Sequence, residues 1–326
     1  MIKQVLLSVN DLTCARVLVF IVFVLGSLVS GCSDNPNALN KIEVQDIAVT
    51  DSSGQLVTLD QPAQRIVALA PHAVENVFAV GAGDKLIGVS EYSDYPEQAT
   101  RLPVVSGFNS INIEAILDLN PDLVIAWESG NSRSAIDRLK ELGLSVYLDQ
   151  PKSLSDIAQS MRNIGELAGT VEQANKTAQE FELNLEGLRN AHATKEQVLV
   201  FYQVWNSPLQ TINGDHIISS AIELCGGSNI YAGEYAVAPV VSIESVLQRN
   251  PQAIIASGVG DNRPEWLDDW LDWPELAATQ NNGLFVVNPD HIQRHTTRIL
   301  FGISKICSQL EQVRAFSLAK NNKDTR

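Results

Sequence analysis

Apolar positions along the chain fall into short runs separated by turn residues, and the runs alternate in type. "LVTL" (Leu56 to Leu59) reads as a short leading strand, "DQPAQ" as a turn, and the stretch from Arg65 to Ala70 as a buried strand. "HAVENVFAVGAGDKLIGVS" follows as a helix, a glycine stop at Gly81 to Gly83, and a strand through Val89. The next helix, Ile113 to Leu119, is capped by Asn112 and cannot continue past Pro121; "LVIAW" is the strand after it. "SRSAIDRLKELGLSVYLD" adds one more helix and strand. Such alternation predicts a mostly parallel sheet flanked by helices.

From Ser153 to Ala193 the pattern is helical without a strand. Ile157, Met161, Ile164 and Ala168 mark one face of a first helix. Val171, Ala174, Ala178, Phe181, Leu185 and Leu188 mark a second, long one, a stripe that belongs to a helix packed along something else. This stretch reads as a connector between two lobes. A second set of parts then begins: strand "QVLVFYQVW", helix "HIISSAIELCGG", a tryptophan-rich stretch with Trp266, Trp270 and Trp273, strand "LFVVN", and a last helix from Thr297 to about Val313.

One unit occurs in both halves. "NIEAILDLNPDLVIAW" (Asn112 to Trp127) returns as "SIESVLQRNPQAIIAS" (Ser242 to Ser257), with Glu114 and Glu244 at matching places. Each glutamate sits near the second helical position, where the helix dipole favours a carboxylate by about 0.3–1 kcal/mol. That alone accounts for one such residue. A matched pair, one per lobe, also suits docking onto a two-fold partner carrying basic residues. Isolated exposed ion pairs contribute only about 0–1 kcal/mol each, so the pair would set register and steering more than affinity.

Length and charge narrow the classes. A chain of 326 residues, 45% apolar, favours two lobes over one compact domain. Its net charge of −15 and lack of a basic run exclude nucleic acid as a partner. At the start, Lys3 and Arg16 precede "VLVFIVFVLGSLVSG", too short for a comfortable transmembrane helix but suited to the core of an export signal. "LVSGC" resembles a bacterial lipobox, which makes Cys32 the lipidated first residue; the alternative is an uncleaved anchor helix. Residues 1–31 then form the signal and 32–60 a lipidated tether with the leading strand. Residues 61–152 form the N-terminal α/β lobe, 153–195 the connecting helices, 196–316 the C-terminal lobe and 317–326 a polar tail. Cys14 leaves with the signal, so Cys225 and Cys307 remain, either as one disulfide in an oxidising compartment or as two buried thiols.

Candidate chemistry collects near strand ends, where open parallel sheets bind ligands. Tyr92 follows the strand ending near Val89, Phe108 precedes the first repeated helix, and Trp127 and Trp205 close their strands. These aromatics would form a cleft for a large, flat, partly apolar ligand, or simply pack. After the last strand, "NPDHIQRHTTR" offers Asp290, His291, Gln293, Arg294 and His295 as polar contacts. A metal reading of His291 and His295 lacks a third ligand beyond His72. There is no GxSxG, HExxH, GxxxxGK[ST] or GxGxxG motif, and Asp268–Asp269 belong to a solvated face.

The segments "LIGVSEYSDYPEQA", "INIEAILDLNPDLVIAWESGN", "IELCGGSNIY", "SIESVL" and "TRILFGISKICSQL" together resemble the periplasmic cobalamin-binding proteins of ABC importers (BtuF type). The likeness spans about Arg65 to Val313. It implies two Rossmann-like α/β lobes with mostly parallel sheets joined by one long backbone helix, the class III periplasmic binding protein fold. It also implies a monomer without a cofactor of its own, carrying cobalamin as a transported ligand to the permease dimer of an inner-membrane importer. By position, Tyr92, Phe108 and Trp127 would line the corrin cleft, and Asp290, His291, Ile292, Gln293 and Arg294 would supply the second lobe's contacts. Glu114 and Glu244 would dock onto arginines of the permease, and Cys225 and Cys307 would be the family's disulfide. Phe108 stands where a tryptophan is expected, and Asp290-His291-Ile292-Gln293-Arg294 where Asp-Trp-Phe-Glu-Arg is expected. The same fold also hosts haem and ferric-siderophore binders, for which Tyr92, His291 or His295 would be contacts. A metal-dependent enzyme using Asp290, His291 and His295, or a purely structural lipoprotein, are readings from other classes.

Overall fold

The computed structural model describes residues 47–107, 110–258, 260 and 262–324, with side chains to residue 320. The chain divides into a first unit, Met1–Glu43, and a second, Val44–Arg326, to which every described residue belongs. The expected export signal, Cys32, most of the tether, and Phe108 lie outside the described residues.

The expected leading strand is one arm of an antiparallel hairpin, β1 (Ile47–Thr50) with β2 (Leu56–Leu59), closed by Asp51, whose Oδ1 accepts from the amides of Ser53 and Gln55. The first main sheet contains β3 (Ile66–Ala68), β4 (Leu86–Ser90), β5 (Val104–Ser106), β6 (Leu123–Trp127) and β7 (Val146–Asp149) in the order β5-β4-β3-β6-β7, every pairing parallel. The second contains β8 (Val198–Gln203), β11 (Gly227–Asn229), β12 (Ala253–Ser257) and β13 (Leu284–Val287) in the order β11-β8-β12-β13, again all parallel. A small hairpin, β9 (Trp205–Asn206) with β10 (Leu209–Gln210), projects beyond β8.

Both faces of each sheet are covered, which is why these strands read as continuous apolar runs and not as alternation. Along β6, Leu123 and Ile125 enter one core cluster while Val124 and Ala126 enter another; β12 divides Ala253 and Ile255 from Ile254 and Ala256 in the same way. The shared cluster runs from the first hairpin to α10 (Ile299–Asp324). The outer face of the first sheet is covered by α2 (Ile113–Asp118) and α3 (Arg133–Glu141), and that of the second by α7 (Ile243–Arg249) and the 3₁₀ stretch Glu265–Asp272 carrying Trp270.

The strand-free stretch consists of two helices with different jobs. α4 (Leu154–Ala168) opens on a capping box between Ser153 and Asp156 and ends on Gly169, whose φ of 70° is the left-handed conformation that glycine adopts cheaply. It packs mainly on α1 (Pro71–Ala79) and β1 of the first lobe and also touches α6 (Ile217–Leu224) of the second. α5 (Val171–His192) is the single long connector: it packs on α4, and also on α6 and α10 of the second lobe. Ala174, Ala178, Phe181 and Leu185 form its buried stripe, while Val171 at the first helical position is exposed. The helices approach closely because Gly165 faces Ala174; a side chain at Gly165 would overlap the Ala174 Cβ.

The last helix is longer than expected. It reaches Asp324, through most of the stretch read as a polar tail, since no glycine or proline interrupts Arg314 to Asp324. Arg314 anchors it by donating to the carbonyls of Glu196, Cys225 and Gly226. Cys225 and Cys307 form a disulfide beside that anchor.

Candidate functional site: the cleft between the lobes

The repeated unit is α2–β6 in one lobe and α7–β12 in the other. Asn112 Oδ1 accepts from the Ala115 amide at 3.0 Å, and Ser242 Oγ from the Ser245 amide at 3.2 Å. Each helix ends on an asparagine with positive φ, Asn120 at 46° and Asn250 at 45°, and proline follows each. Strands β6 and β12 then run inside their sheets, next to β3 and β8. Glu114 and Glu244 stand at the second position of their helices, both exposed. Among the described residues neither forms an ion pair. The Glu244 carboxyl is held below its ordinary range by its own backbone N–H, then by the Ser242 hydroxyl.

Three neighbouring strands of the first lobe bring side chains to one edge. β3 leads into α1, which places His72 at the second helical position; β6 ends on Trp127 and β7 on Asp149, paired in register. The His72 ring meets the Trp127 ring edge-on at 5.4 Å, and His72 Nε2 lies 3.6 Å from Asp149 Oδ2. Ser160 Oγ donates to the other Asp149 oxygen at 2.6 Å. From the second lobe His295 reaches the same place, its ring 5.5 Å from that of His72. The Asn76 side-chain amide donates to the His295 carbonyl at 3.0 Å, fixing this approach. Burial, then the neighbouring His72, pushes the His295 imidazole down to about 3, so it is uncharged at neutral pH.

Above this cluster is a hollow of about 680 Å³ between the lobes. Trp127, Ser129 and Gln150 to Lys152 line it from the first lobe; Asp215, His216, Ile217, Val237 and His295 line it from the second. His216 caps α6, its Nδ1 accepting from the Ile218 amide, and burial lowers its pKa. A half-open hollow with apolar walls and a few convergent polar groups suits an organic ligand.

The residues singled out from the sequence are distributed unevenly around this hollow. Trp127 lines it. Tyr92 has positive φ and is 74% exposed, and its carbonyl accepts from Arg294. Asp290 pairs with Arg294, and the Gln293 amide donates to Ser257 Oγ at 2.8 Å. Two placements differ from expectation. Ile292 is fully buried in the main core and offers no side chain to a ligand, because α9 (Pro289–Ile292) turns its apolar face inward. His291 faces the Phe301 ring at 5.6 Å in a separate hollow between β13 and α10. Asp290, His291 and His295 therefore do not converge, and among the described residues no group of three or more His, Cys, Asp or Glu side chains is placed to hold a metal. Arg294 is engaged by Glu75, Asp94 and Asp290. Asp149, Glu75 and His216 were not evident as site residues. His72 is singled out from the sequence only as a possible metal ligand, and Asp149 could have been found by scanning every strand end for polar residues and not only for aromatic ones.

This chain is similar to known proteins in sequence and in fold. The sequence pattern of the family described as "Periplasmic binding protein" matches residues 66–290. The vitamin B12-binding protein of Vibrio cholerae serotype O1 (strain ATCC 39315 / El Tor Inaba N16961) is 40% identical over 251 residues, covering 77% of this chain and 90% of the relative. That of Yersinia pestis (strain Pestoides F) is 35% identical over 259 residues, covering 79% and 90%. Among solved structures, the periplasmic vitamin B12 binding protein BtuF of Vibrio cholerae superposes with a TM-score of 0.72 at 39% identity, covering 78% of this chain and 98% of that one. The periplasmic heme-binding protein RhuT from Roseiflexus sp. RS-1 gives 0.69 at 21% identity, covering 77% and 99%, and supports the fold alone. With two α/β lobes, all-parallel main sheets and one long connecting helix, the chain belongs to the periplasmic binding protein family and has its class III fold.

Proposed function

We propose that this protein captures cobalamin or a related corrinoid in the cleft between its lobes and delivers it, without catalysis, to an ABC importer. The observation that carries the reading is the similarity to vitamin B12-binding proteins along nearly the whole of both lobes, joined to a cleft walled by Trp127. In this reading Trp127 is the main aromatic contact, with Tyr92 at the rim and Asp290, Gln293 and Arg294 near the cleft's second-lobe edge; Phe108, outside the described residues, is a further expected contact. The family's name supports a periplasmic location. Among the described residues no helix is long and apolar enough to cross a membrane. Residues 1–31 direct export, and lipidated Cys32 anchors the protein to a membrane.

Glu114 and Glu244 dock onto the two permease subunits. Their equivalent positions on α2 and α7 give a two-fold partner the same handle on each lobe, which is what an isologous partner needs. Calorimetric titration of the purified chain with cyanocobalamin, with haem and a ferric hydroxamate in parallel, tests the ligand. One-to-one binding of cyanocobalamin supports the reading; saturable binding of another ligand alone replaces it. A haem reading would rest on His295, whose uncharged imidazole lines the hollow, and a shifted Soret band would reveal that ligation.

A further inference from the structure

The deepest part of the cleft lacks positive charge. Of the side chains lining the hollow, Lys152 and Asp215 carry formal charges; they are opposite in sign and both exposed, where water screens them. His216 is spent as a helix cap. Arg294 comes one residue before His295, yet its guanidinium is taken by Glu75, Asp94 and Asp290. What the floor offers is different. His295 is 8% exposed, and its Nδ1 accepts and donates no hydrogen bond among the described residues. The Trp127 indole N–H is likewise unpartnered, and behind both lies the Asp149 carboxylate, 2% exposed.

We propose that the cleft floor, with His295 as its specificity-determining residue, selects a ligand whose buried edge carries uncharged carboxamides and rejects one whose edge carries carboxylates. This rests on the reading that a corrinoid occupies the cleft. A primary amide suits the uncharged His295 ring either way round, since its NH₂ donates to an imidazole lone pair and its carbonyl accepts from an imidazole N–H. A carboxylate has no proton to donate, meets the negative field of Asp149, and loses its water without gaining a cation. The corrin rim of cobalamin carries propionamides and acetamides, whereas haem carries propionates. The floor therefore separates two ligand classes that share the fold.

The test compares cyanocobalamin with its monocarboxylic acids, each made by hydrolysing one peripheral amide, by calorimetric titration of the purified chain at neutral pH. The acid whose carboxylate reaches the floor should bind about tenfold or more weakly than cyanocobalamin. His295→Arg, which supplies a cation there, should narrow that gap. All acids binding within about twofold of cyanocobalamin would overturn the selection while leaving the corrinoid reading intact. No binding of cyanocobalamin would remove the corrinoid reading and this proposal with it. Because the ligand series needs no variant, a poorly folding His295→Arg leaves the test decisive.

Discussion

Arg294 Nη1 lies 2.8 Å from Glu75 Oε1, which joins the two lobes by a nearly buried ion pair; the Glu75 side chain is 3% exposed. The same guanidinium also reaches Asp94, at 2.8 Å, and the Tyr92 carbonyl of the first lobe. Arg298 adds a second contact to Glu75 at 3.2 Å and stacks over the Tyr95 ring. The segment between α9 and α10 is thus strapped across the first lobe beside the cleft floor. Removing Glu75 leaves two arginines facing each other without their shared counter-ion. Breaking a buried pair from one side costs about 3–5 kcal/mol, so Glu75→Ala should lower the unfolding free energy by about that much, seen as a lower urea midpoint at an unchanged slope. Glu75→Gln, which keeps an acceptor, should lose less.

Trp127 closes β6 at the cleft wall and touches His72 edge-on. A tryptophan in such a place anchors a flat ligand over a large area at little entropic cost. Trp127→Ala should weaken cyanocobalamin binding by about 2 kcal/mol, a roughly thirtyfold rise in Kd. Tyr92→Ala should weaken it far less, because Tyr92 is mostly exposed to solvent. Titration of both variants against the unchanged protein decides the ranking; an equal loss for Tyr92→Ala would show that the loop closes over the ligand.

The His295 imidazole titrates at about 3 in the folded protein, against 6.5 for the ordinary side chain. Between those values the unfolded chain binds the extra proton and the folded one does not. Stability is therefore fully present above about pH 6.5 and is lost as pH falls toward 3. The contribution of one such group is at most about 1.4 kcal/mol per pH unit. His216, lowered by burial, adds to the same trend. Urea unfolding at pH 7 and pH 4.5 should show a steep loss for the unchanged protein and a shallower one for His295→Gln. Parallel slopes for the two proteins would count against a buried uncharged His295.

Docking through Glu114 and Glu244 makes a prediction separable from ligand binding. Both carboxylates are exposed and lie on α2 and α7, the outer faces of their lobes, while the ligand hollow is formed by strand ends and the Asp215–Ile217 and His295 segments. Reversing either charge with Glu114→Lys or Glu244→Lys should leave cobalamin affinity unchanged. Each should reduce association with the importer in liposomes by about tenfold, and the double reversal more. Unchanged transport by the double variant would leave both residues with their favourable place in the helix dipole alone.

Much of this architecture was legible because local signals agreed with the global arrangement. Asn112 and Ser242 as caps, Asn-Pro as helix ends and the Ala174–Leu185 stripe each had one physical meaning. Ile292 and His291 were misplaced for a common reason: on a single turn of helix such as α9, sequence gives no period long enough to show which side faces the core. The strap was invisible because Glu75 and Arg294 come from distant parts of the chain, and nothing local marks a charged residue in α1 as one that will be buried. Asp149 was hidden among ordinary polar residues, and His72 was legible only as a possible metal ligand, until the parallel order β3-β6-β7 set their strand ends side by side.

The disulfide between Cys225 and Cys307 ties the end of α6 to the middle of α10, spanning 82 residues of sequence that include β11, α7, β12 and β13. A loop of that length restricts the unfolded chain strongly, and removing a native disulfide typically costs about 2–5 kcal/mol. Arg314 holds the same junction through three backbone carbonyls, among them that of Cys225 itself. The junction should therefore survive loss of the bond in a weakened form. Replacing both cysteines, Cys225→Ala with Cys307→Ala, should lower the thermal midpoint while leaving cobalamin affinity within about twofold, since the bond lies in the core behind β8 and away from Trp127 and His295. Adding Arg314→Ala to that pair should cost less than the separate losses combined, because each element positions the other and losing one already forfeits part of the second. Additive losses in a double-mutant cycle would instead make the bond and the arginine independent fastenings.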